Sequence, residues 1–561
     1  MPDNDIVILG SIDYIRLNDE VCVWLIASRK IVVGCMEKMK PFCLGRNREG
    51  DRAMTTLGEL LQSIRVLDQT APTSVTDTES EGRELPDLPV TGVAYHSQKV
   101  VPGNVFVCVV GYKTDGHKYL AAAVRAGASA AIVETFQDGI DIPQFRVENS
   151  RIALARLGAA YYDRPSERMT MIGITATNGK TTTSYMANAM LENHGLRTGL
   201  IGTVVIKIDD TSIPAELTTP ESLDLQNYLH QMVERGVTHV TMEVSSAALE
   251  SHRVETVDYD IVTLNNVSRE HIDSHGSFEQ YWAAKSSLIR DASERSKAVL
   301  NLDDAYSASL IGETRAQVVT FGVKSREGHL GCKNLDLSTG RAKFMLQVLK
   351  PFVARDGSAV AECEFEVSLA VPGLHSVYNA MVAIAIALLC GVPVQTIQHT
   401  LRTFGGVERR FQFIYEGDFT IIDDHFANPG NINVTLETLR YMDFERLRLV
   451  YAIRGERGPT VNRENAEAIV EWLRRLEVDE LIATRSVSHV TAKDYVTDEE
   501  VRVFMDTMAA AGVRVRLYDE LPEAISDAIS RAGRGDLLLL AGCQGMDPGA
   551  AIALGLLEET Q

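Results

Sequence analysis

The sequence lacks the features that mark membrane, secreted and zinc-binding proteins. No apolar run reaches the ~18–20 residues that a helix needs to cross a bilayer. The N-terminus carries Asp3 and Asp5 where a secretory signal peptide carries positive charge, which argues against secretion. The eight cysteines form no CxxC pair and no Cys/His cluster with zinc-ligand spacing. We therefore expect a cytoplasmic protein with reduced thiols and no membrane insertion.

Positive charge is also scarce. The 561 residues include 55 basic and 76 acidic side chains, which give a net charge of −21. Because nucleic-acid backbones favour Lys and Arg, a chain of this sign is not expected to take nucleic acid as a partner. The composition, with 45% hydrophobic and 23% charged residues, predicts a globular protein of about three domains, which we expect to be a monomer.

Alternating strand and helix patterns predict an α/β fold in three parts. Residues 54–166 are expected to form a small α/β domain, and residues 167–406 a central domain with a doubly wound, mostly parallel sheet around a phosphate loop. Residues 407–561 are expected to form a C-terminal Rossmann-like α/β domain. Within the central domain, residues 340–370 have the pattern of an antiparallel insertion.

Residues 1–53 fit this organisation less well. Met54 precedes a segment typical of a fresh helix start, so one hypothesis is that Met54 is the native start and the residues before it are an upstream extension. The alternative is a small extra hairpin, with short strands at Val21–Ile26 and Ile31–Val33. N-terminal sequencing of the native protein would decide, because an upstream start contradicts the hypothesis.

The strongest local signal lies where an apolar strand gives way to a helix, in Gly173-Ile-Thr-Ala-Thr-Asn-Gly-Lys-Thr-Thr-Thr183. That position aims free backbone N–H groups and the positive end of the helix dipole at a phosphate. Lys180 can reach the β- and γ-phosphates of a nucleotide, and the Thr181 hydroxyl suits Mg²⁺. The predicted nucleotide-binding residues are Thr177, Asn178, Gly179, Lys180, Thr181 and Thr182.

A carboxylate follows another apolar strand, in Met242-Glu-Val-Ser-Ser246. A carboxylate at the C-terminal end of a strand beside a phosphate loop is well placed to bind Mg²⁺. Without its neighbours, Glu243 would be interpreted as a solvated strand end. Beside the loop, it is predicted to be a metal ligand.

The loop string Thr-x-Thr-Asn-Gly-Lys-Thr-Thr-Thr resembles the ATP loop of the Mur ligases, which add amino acids to the cell-wall precursor peptide. The resemblance continues in order along most of the chain. His96–Phe106 and Thr114–His117 are similar to first-domain segments of the type E and type F members, with Gln98 and Asn104 in place of the usual Arg and Asp.

The resemblance implies roles for residues on both sides of the loop. Thr218–Glu221 is similar to the type E segment that contacts the muramyl-peptide substrate. The implied substrate-binding residues are Ser97, Thr218, Thr219, Ser245 and Arg253. His375–Asn379, which is expected to precede an apolar helix, resembles the adenine-contact segment. Asn379, Arg410 and Asp424 are the implied nucleotide-binding residues beyond the loop.

Two segments, Asn265–Gly276 and Tyr281–Lys285, carry the most diagnostic part of the resemblance. In the Mur ligases the first histidine, here His271, binds a second Mg²⁺, and the lysine, here Lys285, is carbamylated by CO₂ into an anionic oxygen ligand. The implied metal ligands are Thr181, Glu243, His271 and Lys285, and the implied catalytic residues are Lys180, His271 and Lys285.

The pattern breaks in the segments that contact the amino acid. The usual His of Asp-Tyr-Ala-His-Asn-Pro is Ala427, and Asp-Asn-Pro-Arg is replaced within Ala483–His489. Gly-x-Gly-His-Glu is replaced within Ala541–Asp547, and Arg454–Gly458 matches Gly-Asn-Arg-Gly-Asp-Arg only loosely. Arg485 is either a bidentate carboxylate grip or a solvated surface residue. The added amino acid therefore stays open.

The sequence predicts an ATP-dependent, ADP-forming ligase that makes an amide bond in cell-wall precursor synthesis. The resemblance implies ATP, two Mg²⁺ ions and CO₂ as a lysine carbamate, with a UDP-linked sugar peptide and a free amino acid as partners. Phosphoryl transfer to a carboxylate would give an acyl phosphate, which the amine then attacks. Alternatives are a related ligase with a pseudomurein or folylpolyglutamate-like acceptor, a P-loop NTPase switch, and a non-catalytic paralogue.

Overall fold

The computed structural model describes the backbone of residues 6–9, 12–17, 20–27, 30–35, 55–70, 88–111, 114–268, 276–338 and 340–560. The chain divides into two compact units, Met1–Met54 and Thr55–Gln561. Within the described residues, no helix combines the length and apolar character needed to span a bilayer.

The first unit contains a four-stranded antiparallel sheet in chain order. Its strands are Ile6–Leu9, Ile12–Leu17, Glu20–Ala27 and Lys30–Cys35. The last two include the two short strands expected from the sequence. Whether Met54 is the native start stays a prediction.

The second unit begins with a small α/β layer. Thr56 caps its first helix through a reciprocal bond pair with Glu59, which is the helix start expected after Met54. The described strands form a five-stranded, mostly parallel sheet in the order Asp68–Thr70, Gln144–Arg146, Ala130–Val133, Asn104–Val107 and Gly92–Ala94. The helices are Leu57–Leu61, Leu120–Arg125 and Ser150–Tyr161.

The central sheet has eleven described strands, of which the middle ones are parallel. In spatial order the parallel strands are Thr198–Ile201, His239–Glu243, Thr170–Thr175, Ile261–Leu264, Lys297–Asn301 and Gln317–Gly322. Antiparallel strands extend one edge with Val205–Ile208 and Thr211–Pro214. The other edge continues with Leu330–Asp336, Arg341–Val348 and Cys363–Pro372. The antiparallel pattern expected for residues 340–370 therefore belongs to the same sheet.

Helices cover both faces of this sheet. They are Lys180–Asn193, Ser222–Glu234, Ser246–Glu250, Phe278–Arg290, Ala305–Ser309, Leu374–Leu389 and Val394–Thr403. Leu374–Leu389 is buried almost throughout, which explains its continuous apolar sequence.

The C-terminal sheet has six described strands. Their order is Gln412–Glu416, Thr420–Asp424, Leu537–Gly542, Leu447–Ala452, Glu480–Thr484 and Arg514–Tyr518, with only the first pair antiparallel. The helices are Pro429–Leu439, Gly458–Arg475, Asp498–Ala510, Leu521–Ser530 and Gly549–Thr560. Sequence reasoning missed Gln412–Glu416, a half-exposed edge strand without a buried apolar run.

These sheets confirm the expected α/β fold with a doubly wound, mostly parallel central sheet. The exact domain limits, at residues 54, 167 and 407, stay predictions. In open α/β sheets, ligands bind at the carboxyl ends of the parallel strands. A ligand site is therefore expected at those ends.

Candidate active site

A cavity of about 600 Å³ lies at the carboxyl ends of the central strands and is closed on one side by the C-terminal sheet. Eleven of the residues singled out in the sequence line it. They are Thr177, Asn178, Gly179, Lys180, Thr181, Thr182, Thr218, Glu243, Asn379, Arg410 and Asp424. The fold thus gathers the predicted nucleotide-binding residues into one place.

The phosphate loop depends on a glycine at Gly179. Its φ of 90° lies in the left-handed region, and a Cβ there would overlap the side-chain amide of Asn379. That amide oxygen accepts a hydrogen bond from Asn265 Nδ2 at 3.2 Å. The loop, the adenine-contact segment and the strand end at Asn265 are therefore packed together.

Two lysines meet at one carbonyl oxygen. Lys180 Nζ donates to the carbonyl of Ala176 at 2.9 Å, and Lys285 Nζ donates to the same carbonyl at 2.7 Å. Lys285 also donates to the hydroxyl of Thr175 at 3.3 Å, and only 2% of the residue is exposed. Lys285 does not line the cavity but lies directly behind its phosphate loop.

Glu243 is a buried carboxylate on the central side of the site. Its Oε2 accepts from the hydroxyls of Thr181 and Thr203, each at 3.0 Å, and its Oε1 accepts from the backbone N–H of Thr203 at 2.9 Å. A Cβ at Gly202 would overlap Glu243, so that glycine permits the approach. Without its neighbours in the sequence, Glu243 would have been interpreted as a solvated strand end. In the structure the residue is fully buried.

These oxygen atoms fit Mg²⁺. Within the described residues, no group of three or more His, Cys, Asp and Glu side chains forms a metal cluster. Mg²⁺, however, commonly takes one or two protein carboxylates together with the phosphates of its nucleotide. Glu243 beside the Thr181 hydroxyl matches that arrangement. His271, the other predicted histidine ligand, lies outside the described residues.

Three predicted substrate contacts form a network behind the cavity instead of lining it. The hydroxyl of Thr219 donates to the carbonyl of Glu243 at 2.9 Å and accepts from the backbone N–H of Ser245 at 3.1 Å. Arg253 donates to the carbonyl of Thr219 at 3.1 Å and pairs with Glu221 at 2.8 Å. Thr218 is the member of this segment that reaches the cavity.

Ser97 lies elsewhere, at the start of the short 3₁₀ helix Ser97–Lys99 in the small α/β layer, and does not line the cavity. Its implied contact with the UDP-linked substrate stays a prediction.

The segment His375–Asn379, for which the resemblance implies an adenine contact, differs from the expected local structure. The sequence predicts that His375–Asn379 precedes a helix, but the helix begins at Leu374 and includes the segment. Gly373, with a φ of 89°, ends the preceding strand and starts the helix. The apolar run begins only at Ala380, whereas the buried residues of the helix begin at Ser376, so the sequence placed its start too late.

Sequence reasoning missed the segment Asn301-Leu-Asp-Asp304, of which Asn301, Asp303 and Asp304 line the cavity. Burial alone would raise the pKa of Asp303, but N–H bonds from residues 323–325 and the hydroxyl of Tyr378 lower it overall. The signal was present, because the segment follows an apolar strand in the same way as Glu243.

The C-terminal side of the cavity touches the loop directly. Asn431 Nδ2 donates to Asn178 Oδ1 at 2.8 Å, and Asn428 caps the helix that carries Asn431. Asp424 is buried; its oxygens accept from the backbone N–H of Phe411 at 2.9 Å and from the Thr435 hydroxyl. Burial raises the pKa of Asp424. Its described bonds thus stabilise this side of the cavity, and its nucleotide contact stays a prediction.

Comparisons with known proteins now bear on this geometry. Residues 89–162 match the model of the Mur ligase family catalytic domain, residues 174–387 that of the Mur ligase middle domain, and residues 409–544 that of the Mur ligase glutamate ligase domain. The UDP-N-acetylmuramoyl-L-alanyl-D-glutamate–2,6-diaminopimelate ligase of Caldanaerobacter subterraneus is 33% identical over 459 residues, covering 82% of this chain and 90% of that protein. The chain belongs to the Mur ligase family.

The folds of solved Mur ligases agree with this membership. A solved 2,6-diaminopimelate ligase of the same description aligns with a TM-score of 0.61 at 23% identity, over 86% of this chain and 98% of that one. The MurF ligase of Thermotoga maritima, solved with ADP, aligns with a TM-score of 0.57 at 21% identity, over 85% and 99%. The expectations of a Mur ligase, an α/β fold and an ATP-dependent amide-forming enzyme are confirmed.

Two segments that depart from the family pattern, Ala483–His489 and Ala541–Asp547, make bonds to other residues of this chain. Arg485 pairs with Asp498 at 3.1 Å and with Asp519 at 3.7 Å, two exposed carboxylates of the same chain. Whether it also binds a substrate carboxylate stays a prediction. Cys543, within Ala541–Asp547, is buried and donates to the carbonyl of Phe426.

Proposed function

We propose that this chain uses ATP to join a free amino acid to UDP-N-acetylmuramoyl-L-alanyl-D-glutamate in cell-wall precursor synthesis. The observation that carries the proposal is the convergence of Lys180, Lys285, Thr181 and Glu243 around one phosphate loop. The acceptor comes from the 33% identical relative, whose name specifies it. Consumption of ATP fits the cytoplasmic location expected from the sequence.

The first step transfers the γ-phosphoryl group of ATP to the free carboxylate of the acceptor. Lys180 would hold the phosphates and offset the negative charge that builds up during transfer. Arg410 would contribute a second cation from the opposite wall of the cavity. Thr218 would contact the peptide, held in place by Thr219 and Arg253.

Mg²⁺ would be held by Glu243 and the Thr181 hydroxyl, with His271 as a further ligand, and would neutralise phosphate charge. A carbamate on Lys285 also fits the structure. Two lysine ammonium groups on one carbonyl oxygen repel each other, and carbamylation turns one of them into an anion. The modified Lys285 would then offer oxygen atoms beside the phosphate loop.

In the second step, the amine of the amino acid attacks the acyl phosphate, an amide bond forms and phosphate leaves. The C-terminal sheet borders the cavity and is the side from which the amino acid would be presented. The contact between Asn431 and Asn178 would bring this side against the loop and reduce access of water to the acyl phosphate.

The experiment is a screen of amino acids with UDP-N-acetylmuramoyl-L-alanyl-D-glutamate and Mg·ATP, following ADP release. 2,6-Diaminopimelate is the first donor to test, since the relatives are named for it. L-Lysine is its matched control, because it differs by one carboxylate. ADP release that requires both the UDP-dipeptide and an amino acid is expected. ADP release without either substrate would favour a P-loop switch.

A related ligase with another acceptor is the second candidate. This candidate would be favoured if no UDP-sugar peptide supported ADP release and a folate or pseudomurein precursor did. The match of residues 89–162 to the Mur ligase catalytic domain favours the cell-wall acceptor.

A further inference from the structure

Several arginines surround the carboxyl ends of the C-terminal strands, and most already have carboxylate partners. Arg409 pairs with Asp423 and Asp547, Arg457 with Asp494, and Arg485 with Asp498 and Asp519. A guanidinium neutralised in this way has little charge left for a ligand. These three side chains are therefore poor candidates for binding a substrate carboxylate.

The backbone anion site at this edge is also filled. The backbone N–H groups that lead into the helix Gly458–Arg475 form a geometry that suits an anion. The carboxylate of Glu500 accepts from Gly458 at 2.8 Å, Arg457 at 3.0 Å and Glu456 at 3.3 Å. A substrate carboxylate would have to displace Glu500 to bind there.

Arg410, which lines the cavity and is proposed to act on the nucleotide, has no carboxylate partner among the described residues. Arg454 differs from the three paired arginines in the same way. It follows the strand Leu447–Ala452 and is half-buried, and in the described part of the chain it has no carboxylate partner. One guanidinium nitrogen donates to the carbonyl of Ala427, while Nε is buried without a hydrogen-bond partner. A cation that has lost water without gaining a counter-charge is unfavourable unless an anion joins it.

Arg454 is not itself among the residues that line the cavity, but it contacts one of them. Ala427, whose carbonyl it contacts, lines the cavity, and so does the adjacent His425. Burial first, and then the charges of Arg410, Arg409 and Arg454, lower the pKa of His425. The imidazole therefore stays neutral and does not compete with Arg454 for an anion.

We propose that Arg454 binds the α-carboxylate of the incoming amino acid. The inference rests on the proposed function and names the residue that takes over recognition where the family's amino-acid segments have changed. Phosphate is the competing anion, but the phosphate loop and Lys180 lie on the opposite side, on the central sheet. A carboxylate can take two parallel N–H bonds from one guanidinium, which would also orient the amine.

The test compares the best amino acid from the ADP-release screen with its α-carboxamide, in the full-length protein. For the unmodified protein, KM for the carboxamide is expected to exceed KM for the acid. Arg454→Gln is expected to raise KM for the acid roughly 10- to 100-fold, the range for a charge-assisted hydrogen bond. It should remove most of the acid-over-amide preference and leave KM for ATP unchanged.

Arg485→Gln is the matched control, since it removes an arginine at the carboxyl ends of the same strands. The carboxylate partners of Arg485 are Asp498 and Asp519 of this chain. The Arg485→Gln variant is expected to keep the acid-over-amide preference. Arg454→Lys, which keeps a positive charge, should retain part of that preference and serves where the Gln variant is unstable.

Three results would overturn the inference. The unmodified protein fails to distinguish acid from amide, Arg454→Gln keeps the preference, or Arg454→Gln raises KM for ATP instead, which would assign the arginine to phosphate. Absence of ADP release by the unmodified protein with every amino acid would instead overturn the proposed function, and the inference with it.

Discussion

The two walls of the cavity differ in how their charged side chains are arranged. On the central side, Lys180, Thr181 and Glu243 keep the residue types of the Mur ligase pattern and make short contacts around one loop. On the C-terminal side, the family's segments are replaced, and arginines such as Arg409 and Arg485 are neutralised by the chain's own carboxylates.

This difference teaches where the chemistry is constrained. Phosphate geometry is the same for every substrate, so this wall tolerates little change: Gly179 in the loop and Gly202 beside Glu243 have no room for a side chain. An amino-acid pocket has to match only its own ligand. Its polar groups can therefore be exchanged, provided that each new charge finds a partner.

The largest expected effect on the rate of ADP release comes from a change on the central wall of the cavity. Lys180→Ala removes the cation that is proposed to hold the transferred phosphate, and kcat is expected to fall by about 10²- to 10³-fold. ADP release at saturating ATP measures it. The control is Lys324→Ala, an exposed lysine that does not line the cavity, which should leave the rate unchanged. A Lys180→Ala rate equal to that of this control would contradict the role of the loop.

A change at Lys285 sharpens the comparison further. Lys285→Ala is expected to lose activity, and Lys285→Glu to keep some, because a carboxylate replaces part of the carbamate's anionic character. In CO₂-depleted buffer, added bicarbonate should restore ADP release by the unmodified protein but have no effect on the Glu variant. Full activity in both variants, or no response to bicarbonate in the unmodified protein, would count against a carbamylated lysine.

The smallest effect concerns the contact that joins the two walls. Asn431→Ala removes the 2.8 Å hydrogen bond to Asn178, and KM for ATP is expected to rise by roughly 2- to 10-fold. Glu437→Ala, an exposed change on the same helix, is the control. Equal KM values for the two variants would show that the walls meet without help from Asn431.

Local patterns explain why much of the site was predictable. A turn that contains Gly179, between an apolar strand and a helix, marks the loop in the sequence, and Thr56 with Glu59 marks a helix start in the same local way. Glu243 follows from the rule that ligands meet the carboxyl ends of parallel strands. The same rule would have found Asp303 and Asp304 had it been applied to every apolar strand.

Other features depend on packing that no local pattern reports. Thr219, Ser245 and Arg253 bond to one another behind the cavity because the chain brings three separate turns together there. The helix that carries Asn379 starts at Leu374, since burial against the sheet extends it beyond its apolar run.

The sequence by itself determined the family, the α/β class and the nucleotide-binding loop, because each rests on residues close together in the chain. Only the tertiary structure decided that Lys180 and Lys285 share the carbonyl of Ala176, and that Asn431 reaches Asn178. It also decided that Arg485 is paired with carboxylates of the chain, whereas Arg454 has no carboxylate partner in the described chain. Charge compensation is settled by neighbours in space, and sequence spacing does not reveal them.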